Sequence, residues 1–149
     1  VLLAEVAAYY RKQGKNLYDC LQELFEKYGY FAEKTTALTF DGVEGAQQIK
    51  NLMAKLRDEA PAEFAGVKVV CAEDFATGKK SFADGKEEKM NLPSSNVLKY
   101  ILEDGTWIAV RPSGTEPTIK FYIGTQGDSV ENSKANVAKF EKAIQAYVD

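Results

Sequence analysis

The 149-residue chain contains no histidine. That absence excludes imidazole acid–base catalysis, Ser-His nucleophilic triads and most zinc sites. Cysteine is scarce as well. Cys20 and Cys71 sit singly in apolar periodic stretches, where a thiol serves as a small hydrophobe, and they suggest no disulfide framework. No apolar run approaches the roughly 20 residues that cross a bilayer, and the N-terminus lacks the basic stretch and cleavage site of a secretory signal. Charge of neither sign dominates: 19 Lys and Arg against 22 Asp and Glu leave a net −3, without the basic footprint of nucleic-acid binders. The expectation is a cytoplasmic protein with no membrane and no nucleic-acid partner, whose chemistry rests on carboxylates, hydroxyls, Arg and Lys, and backbone groups.

What is present is ordinary globular material, 45% apolar and 28% charged, enough for one domain, or one and a fragment. The first residues, Val1-Leu2-Leu3-Ala4-Glu5-Val6, are already in helical rhythm without a Met or a capping residue, which predicts a piece of a longer protein. Leu2, Leu3, Val6, Ala7 and Tyr10 share a face of a helix over 2–13, closed by Gly14. Asn16 can cap a second helix, with Asp19 at its third position, a stripe of Leu17, Cys20, Leu21, Leu24, Phe25 and Tyr28, and Gly29 at its end. So short a connection predicts an antiparallel pair whose apolar faces need a partner outside themselves.

From Lys34 the period changes. Residues 35–40 read as a strand, and Asp41 with Glu44 reads as the capped start of a helix that carries Ile49, Leu52, Met53 and Leu56 to about Glu59, before Pro61. Residues 67–75 read as a strand and 76–89 as a loop or short hairpin. Leu98, Tyr100 and Leu102 alternate against Lys99, Ile101 and Glu103 up to Asp104-Gly105, a strong hairpin signal, so 106–110 is the return strand. Residues 118–124 form a further strand, with Ile119, Phe121 and Ile123 opposite in facing to Lys120 and Tyr122. A last helix spans about 129–148, with Val130, Ala135, Val137, Ala138, Phe140, Ala143, Ile144 and Tyr147 on its apolar side. The natural layer solution is an α+β domain with helices packed on one face of a mainly antiparallel sheet.

One stretch carries chemistry: Arg111-Pro112-Ser113-Gly114-Thr115-Glu116-Pro117. Arg111 supplies a planar, permanently charged fork, Ser113 and Thr115 supply hydroxyl donors, and Gly114 lets backbone N–H groups approach an oxyanion. The two prolines stiffen the loop, so less conformational freedom is lost when an anion arrives. Glu116 is expected to orient the loop or to balance Arg111 or Lys120. The competing reading is a rigid surface turn with Arg111 in an ordinary ion pair. With no base-activated nucleophile and no general acid, the loop predicts binding and supplies no catalytic residue.

The same string, followed by Ile119-Lys120-Phe121-Tyr122, resembles the C-terminal phosphate-binding loop of the α-D-phosphohexomutase superfamily. The stretch from Asn91-Leu92-Pro93-Ser94-Ser95-Asn96 through Tyr122, with Phe40-Asp41-Gly42-Val43-Glu44-Gly45, is similar to its phosphoglucomutase and phosphomannomutase branch. The resemblance covers essentially the whole chain. It implies that residues 1–33 are the helical tail of a third domain and 34–149 a TATA-binding-protein-like fourth domain that grips the substrate phosphate not being transferred. The implied phosphate contacts are Arg111, Ser113, Gly114 and Thr115, with Lys120 as an electrostatic neighbour. The implied reaction interconverts hexose 1-phosphate and 6-phosphate through a phosphoserine and a bisphosphorylated intermediate. Mg2+ and glucose 1,6-bisphosphate would serve the full-length enzyme, and the serine, metal and sugar-recognition segments would lie in the missing N-terminal domains. This chain alone would bind phosphosugar and turn nothing over. One departure is Thr118, where many relatives carry Lys.

Three other readings follow from the residues. Tyr100, Trp107, Phe121 and Tyr122 on neighbouring strands could form a base-stacking platform, although cross-strand packing explains them as well. Glu73 and Asp74, adjacent on a strand, point to opposite faces and are not expected to hold a metal. The helix pair could instead make the chain a free-standing phosphate-binding or protein-interaction module without catalysis.

Overall fold

The computed structural model describes residues 1–40, 42 and 44–148, with the side chains of 147 and 148 excepted. Two N-terminal helices, α1 (Leu2–Arg11) and α2 (Leu17–Tyr28), form the expected hairpin. Asn16 caps α2 through a reciprocal box. Its Oδ1 accepts from the Asp19 amide at 3.0 Å, while the Asn16 amide donates to Asp19 Oδ2 at 2.9 Å. Gly14 takes φ 77° between the helices, a conformation that a Cβ would strain. Leu2, Leu3, Leu21, Leu24 and Tyr28 remain exposed, so the pair's apolar residues are not spent on the sheet.

The remaining elements are β1 (Tyr30–Thr39), α3 (Gly45–Asp58), β2 (Glu63–Phe64), β3 (Val67–Asp74), β4 (Lys79–Phe82), β5 (Glu87–Lys89), β6 (Leu98–Leu102), β7 (Trp107–Pro112), β8 (Thr118–Gly127) and α4 (Val130–Val148). The strands pair antiparallel in the order β1-β8-β7-β6-β3-β4-β5, with β2 attached to β3. This is the α+β, TATA-binding-protein-like arrangement anticipated from the element order. Both α3 and α4 lie on one face. Ile49, Met53 and Leu56 of α3 and Phe140 and Ile144 of α4 share a single core with the inward residues of β6, β7 and β8. Burying one face of β6, β7 and β8 fixes their register, because a one-residue slip would turn Ile119, Phe121 and Ile123 to solvent.

Several boundaries depart from the sequence expectation. β1 begins at Tyr30, because an extended β8 supplies partners as far as Gly127 for residues that carry no strand alternation of their own. The connection between β6 and β7 has four residues, Glu103 to Thr106. The Leu102 amide donates to the Thr106 carbonyl at 2.8 Å and Gly105 takes φ 82°, so Asp104-Gly105 forms its second and third positions. Residues 76–89 resolve into the β4–β5 hairpin, and β2 was not anticipated. On α4, Ala135 and Ala138 are exposed and Ser133 is buried instead, its hydroxyl satisfied by the Val130 carbonyl at 3.0 Å. The regular part of α3 starts at Gly45, while the cap expected of Asp41 lies outside the described residues.

The cross-strand partners also sort the aromatics. Tyr100 and Phe121 point into the helix-covered core, whereas Trp107 and Tyr122 lie on the open face, so the four do not form one platform. Tyr100 instead donates its hydroxyl to the Leu56 carbonyl at 2.8 Å, satisfying an acceptor left over near the end of α3. A bulge in β3 between Val69 and Cys71 turns Cys71 onto the face away from the helices, where it is buried as a free thiol.

Candidate phosphate-binding site

The loop between β7 and β8 stands at the rim where the two faces of the sheet meet. β7 can end in Pro112 because β6 pairs only as far as Val110, so no sheet partner needs the missing N–H. Across the loop, the Ser113 amide donates to the Thr118 carbonyl at 2.7 Å. The Thr118 amide turns back to the Glu116 carbonyl at 2.7 Å, a tight turn about Pro117. The end of β1 braces it from outside. The Phe40 amide reaches the Pro117 carbonyl at 2.9 Å, and the Thr39 and Thr118 hydroxyls lie 3.4 Å apart. Both prolines and these bonds hold the loop in one shape before any ligand arrives.

The tip is less committed. The Thr115 amide makes only a long 3.4 Å contact to Ser113 Oγ, and the Gly114 and Glu116 amides have no hydrogen-bond partner among the described residues. These donors are solvated at an exposed tip, available at little cost to an oxyanion. A methyl group added at Gly114 would meet nothing within 4 Å, so the space above that residue is open.

All five residues expected to contact phosphate come together. Arg111, Ser113, Gly114, Thr115 and Lys120 line one concavity of about 330 Å³ on the open face, joined by Pro112 and Tyr122. Arg111 and Lys120 are directly opposite each other on β7 and β8. Like charges directly opposite each other on neighbouring strands are destabilising. Neither is in an ion pair among the described residues, although six pairs form elsewhere. The surface-turn reading gave Arg111 an ordinary ion pair, and among the described residues it has none. Glu116 does not balance either cation. It lines a second concavity, on the α3 side of the loop. Thr118 is buried and does not line the first concavity, so Lys120 alone supplies the ammonium.

The second concavity measures about 440 Å³ and shares Pro112, Ser113, Gly114 and Thr115 with the first. Its other polar residues, Lys50 and Asn96, were not assigned chemistry from the sequence. Asn96 stood within the string Asn91 to Tyr100 that carries the family resemblance, but spacing alone offers no sign that it faces the loop. Asn96 is held from behind: Arg57 donates to its Oδ1 at 3.0 Å while the same guanidinium donates to Asp74 at 3.0 Å. Burial opposes ionisation of Asp74, yet bonds from the Thr77 hydroxyl, the Ala76 amide and Arg57 outweigh it and hold the carboxyl below its ordinary range. Glu73, on the other face, pairs with Lys80 at 3.2 Å. Among the described residues no three His, Cys, Asp or Glu side chains gather to hold a metal ion, and no helix is long and apolar enough to cross a membrane.

Comparison with known proteins bears on the same stretch. The family described as "Phosphoglucomutase/phosphomannomutase, C-terminal domain" matches residues 49–142, which includes the loop and both of its flanking strands. The phosphoglucomutase of Staphylococcus haemolyticus is 37% identical over 140 residues, covering 93% of this chain and 25% of that protein. That of Staphylococcus epidermidis strain RP62A is 40% identical over 128 residues, 85% of this chain and 23% of that protein. The Staphylococcus aureus MW2 protein of the same name is 35% identical over 123 residues, 82% and 22% of the two chains. The chain therefore spans about a quarter of the length of the curated relatives it matches. The solved structure of the di-domain ARO/CYC StfQ aligns with 95% of this chain and 57% of that one, at 12% identity and a TM-score of 0.42, a likeness too loose to bear on function. The chain belongs to the family of phosphoglucomutase/phosphomannomutase C-terminal domains.

Proposed function

We propose that this chain is the substrate-phosphate grip of a phosphoglucomutase-type enzyme, a cytoplasmic intramolecular phosphotransferase that interconverts hexose 1-phosphate and 6-phosphate through a phosphoserine and a bisphosphorylated intermediate. One observation carries the reading. Among the described residues two facing cations, Arg111 and Lys120, stand without an ion-pair partner beside a braced loop whose Gly114 and Glu116 amides make no hydrogen bond. A dianionic phosphate relieves their repulsion and supplies acceptors for the amides at once.

In this reading the Arg111 guanidinium donates two parallel bonds to phosphate oxygens, the Ser113 and Thr115 hydroxyls and the Gly114 amide donate from the loop, and Lys120 adds charge. None of these groups attacks or protonates the sugar. Their contribution is to hold the phosphate that does not react, so that binding energy spent there orients the reacting end. The phosphoserine segment and the helix pair's partner would belong to preceding domains, the pair being the tail of the third. A separate domain suits an intermediate that must turn around, because a hinged grip can release and retake the distal phosphate. The Mg2+ ion implied by the family would lie beside the phosphoserine in the preceding domains. The bisphosphate is, for this chain, a ligand with the same phosphate chemistry.

The test is an amide chemical-shift titration of the chain with inorganic phosphate. Shifts should concentrate at residues 113–115, and Arg111→Ala should weaken binding by about tenfold or more, the worth of a hydrogen bond to a charged group. Binding indifferent to that substitution would overturn the assignment.

A further inference from the structure

The phosphate loop has two sides, and only one of them is electropositive. The cations Arg111 and Lys120 line the open-face concavity, while the α3-side concavity holds Lys50, Asn96 and Glu116 around a floor that includes Ile49 and Met53. Ser113, Gly114 and Thr115 line both, so a ligand seated on the loop tip touches the two spaces together.

The polar groups of the second space are of mixed kind. Lys50 and Glu116 line the same concavity without forming an ion pair, and neither has another partner among the described residues. Asn96 is more constrained. A guanidinium can only donate, so the atom bonded to Arg57 must be the amide oxygen, and the NH2 group is left as a donor with no partner among the described residues. Arg57 is itself fixed by Asp74, so this donor is positioned before a ligand arrives. A carboxylate acceptor, an amide donor, an ammonium and two hydroxyls around apolar carbon form a set that suits a polyhydroxylated ring, whose hydroxyls both donate and accept and whose C–H faces are apolar. They do not suit a second phosphate, which Glu116 would repel. The volume of about 440 Å³ lies in the ordinary range of small-molecule clefts.

The geometry points to the α3-side concavity as the seat of the polyol part of the phosphosugar, with Asn96 and Glu116 as specificity-determining residues that read its hydroxyls while Arg111 and Lys120 hold its phosphate across the loop. This rests on the phosphate-grip reading above. It assigns to this chain a share of sugar recognition that the phosphate loop by itself does not supply.

The experiment titrates the chain with inorganic phosphate and with glucose 6-phosphate, following backbone amides. Glucose 6-phosphate should bind about tenfold more tightly than phosphate, as two added neutral hydrogen bonds would give, and should shift Lys50 and Asn96 as well as residues 113–115. Asn96→Asp retains an oxygen acceptor for Arg57 and replaces the NH2 donor by a carboxylate oxygen, whose added charge acts on the phosphate of both ligands and so cancels in their ratio. In that variant, and in Glu116→Gln, the ratio of the two affinities should fall severalfold toward about one. If phosphate shifts 113–115 but glucose 6-phosphate gains no affinity, or if Asn96→Asp keeps the full ratio, the polyol seat is refuted and the grip stands. If phosphate does not shift residues 113–115, both fall.

Discussion

Substituting alanine for Gly114 separates folding from binding at one atom. An added Cβ meets no heavy atom within 4 Å, and Gly114 is not among the residues with positive φ, so the folded chain accepts the methyl group without strain. The unfolded chain loses freedom, and Gly→Ala at such positions stabilises by about 0.4–1 kcal/mol. For a chain of this length that raises Tm by about 1–4 °C. Phosphate meets the opposite effect. The methyl occupies the open space through which an oxyanion reaches the Gly114 amide, and losing one bond to a charged group costs about 1.5–3 kcal/mol. Affinity should therefore drop about 10- to 140-fold. A thermal melt and a calorimetric phosphate titration on the same sample read both quantities. Higher Tm with undiminished phosphate affinity would refute a ligand seated on Gly114, and a lower Tm would refute the loop conformation itself.

Two further substitutions test the surroundings. The Asp74 carboxyl ionises more readily folded than unfolded, so its contribution is complete above its unfolded value, ordinarily 3.8, and disappears as pH falls through the lower folded value. The Tm gap between the wild type and Asp74→Asn should accordingly be open at pH 7 and close under strong acid, and a gap persisting at pH about 2 would show that ionisation is not what Asp74 contributes. Gly124→Ala should destabilise by about 1–3 kcal/mol, because its Cβ would overlap the Trp107 indole on the open face and a rigid ring has little room to yield. Denaturant unfolding followed by Trp107 fluorescence measures it, and an unchanged midpoint would contradict the close approach of β7 and β8 at that pair.

The contrast between what could and could not be read in advance follows the range of the forces involved. Asn16 and Asp19 announce a helix start because the box they form closes within four residues. The alternation of Leu98, Tyr100 and Leu102 announces a strand because one face must be buried. By contrast, Tyr30 to Glu33 become strand through pairing with β8, some ninety positions away, and Ser133 rather than Ala135 turns inward where α4 docks on β8, its carbonyl accepting from the Thr125 hydroxyl at 3.0 Å. Neither event has a signature in its own neighbourhood.

The candidate site divides the same way. The composition of residues 111–117 by itself determined that an anion cradle was available, since guanidinium, hydroxyls, glycine and flanking prolines state their chemistry wherever they are placed. That Lys120 would face Arg111 followed from the alternation of β8 once it paired with β7. Only the tertiary structure decided that Glu116 stands apart from both cations, and that Arg57, anchored on Asp74, brings Asn96 to the other side of the loop. The physical reason is that chemistry belongs to a residue while adjacency belongs to the fold. Asp104-Gly105 announces the return of β6 on β7 that brings Asn96 near Gly114, but the bond from Arg57 of α3 that fixes Asn96 beside the loop spans 39 positions, and no local pattern encodes it.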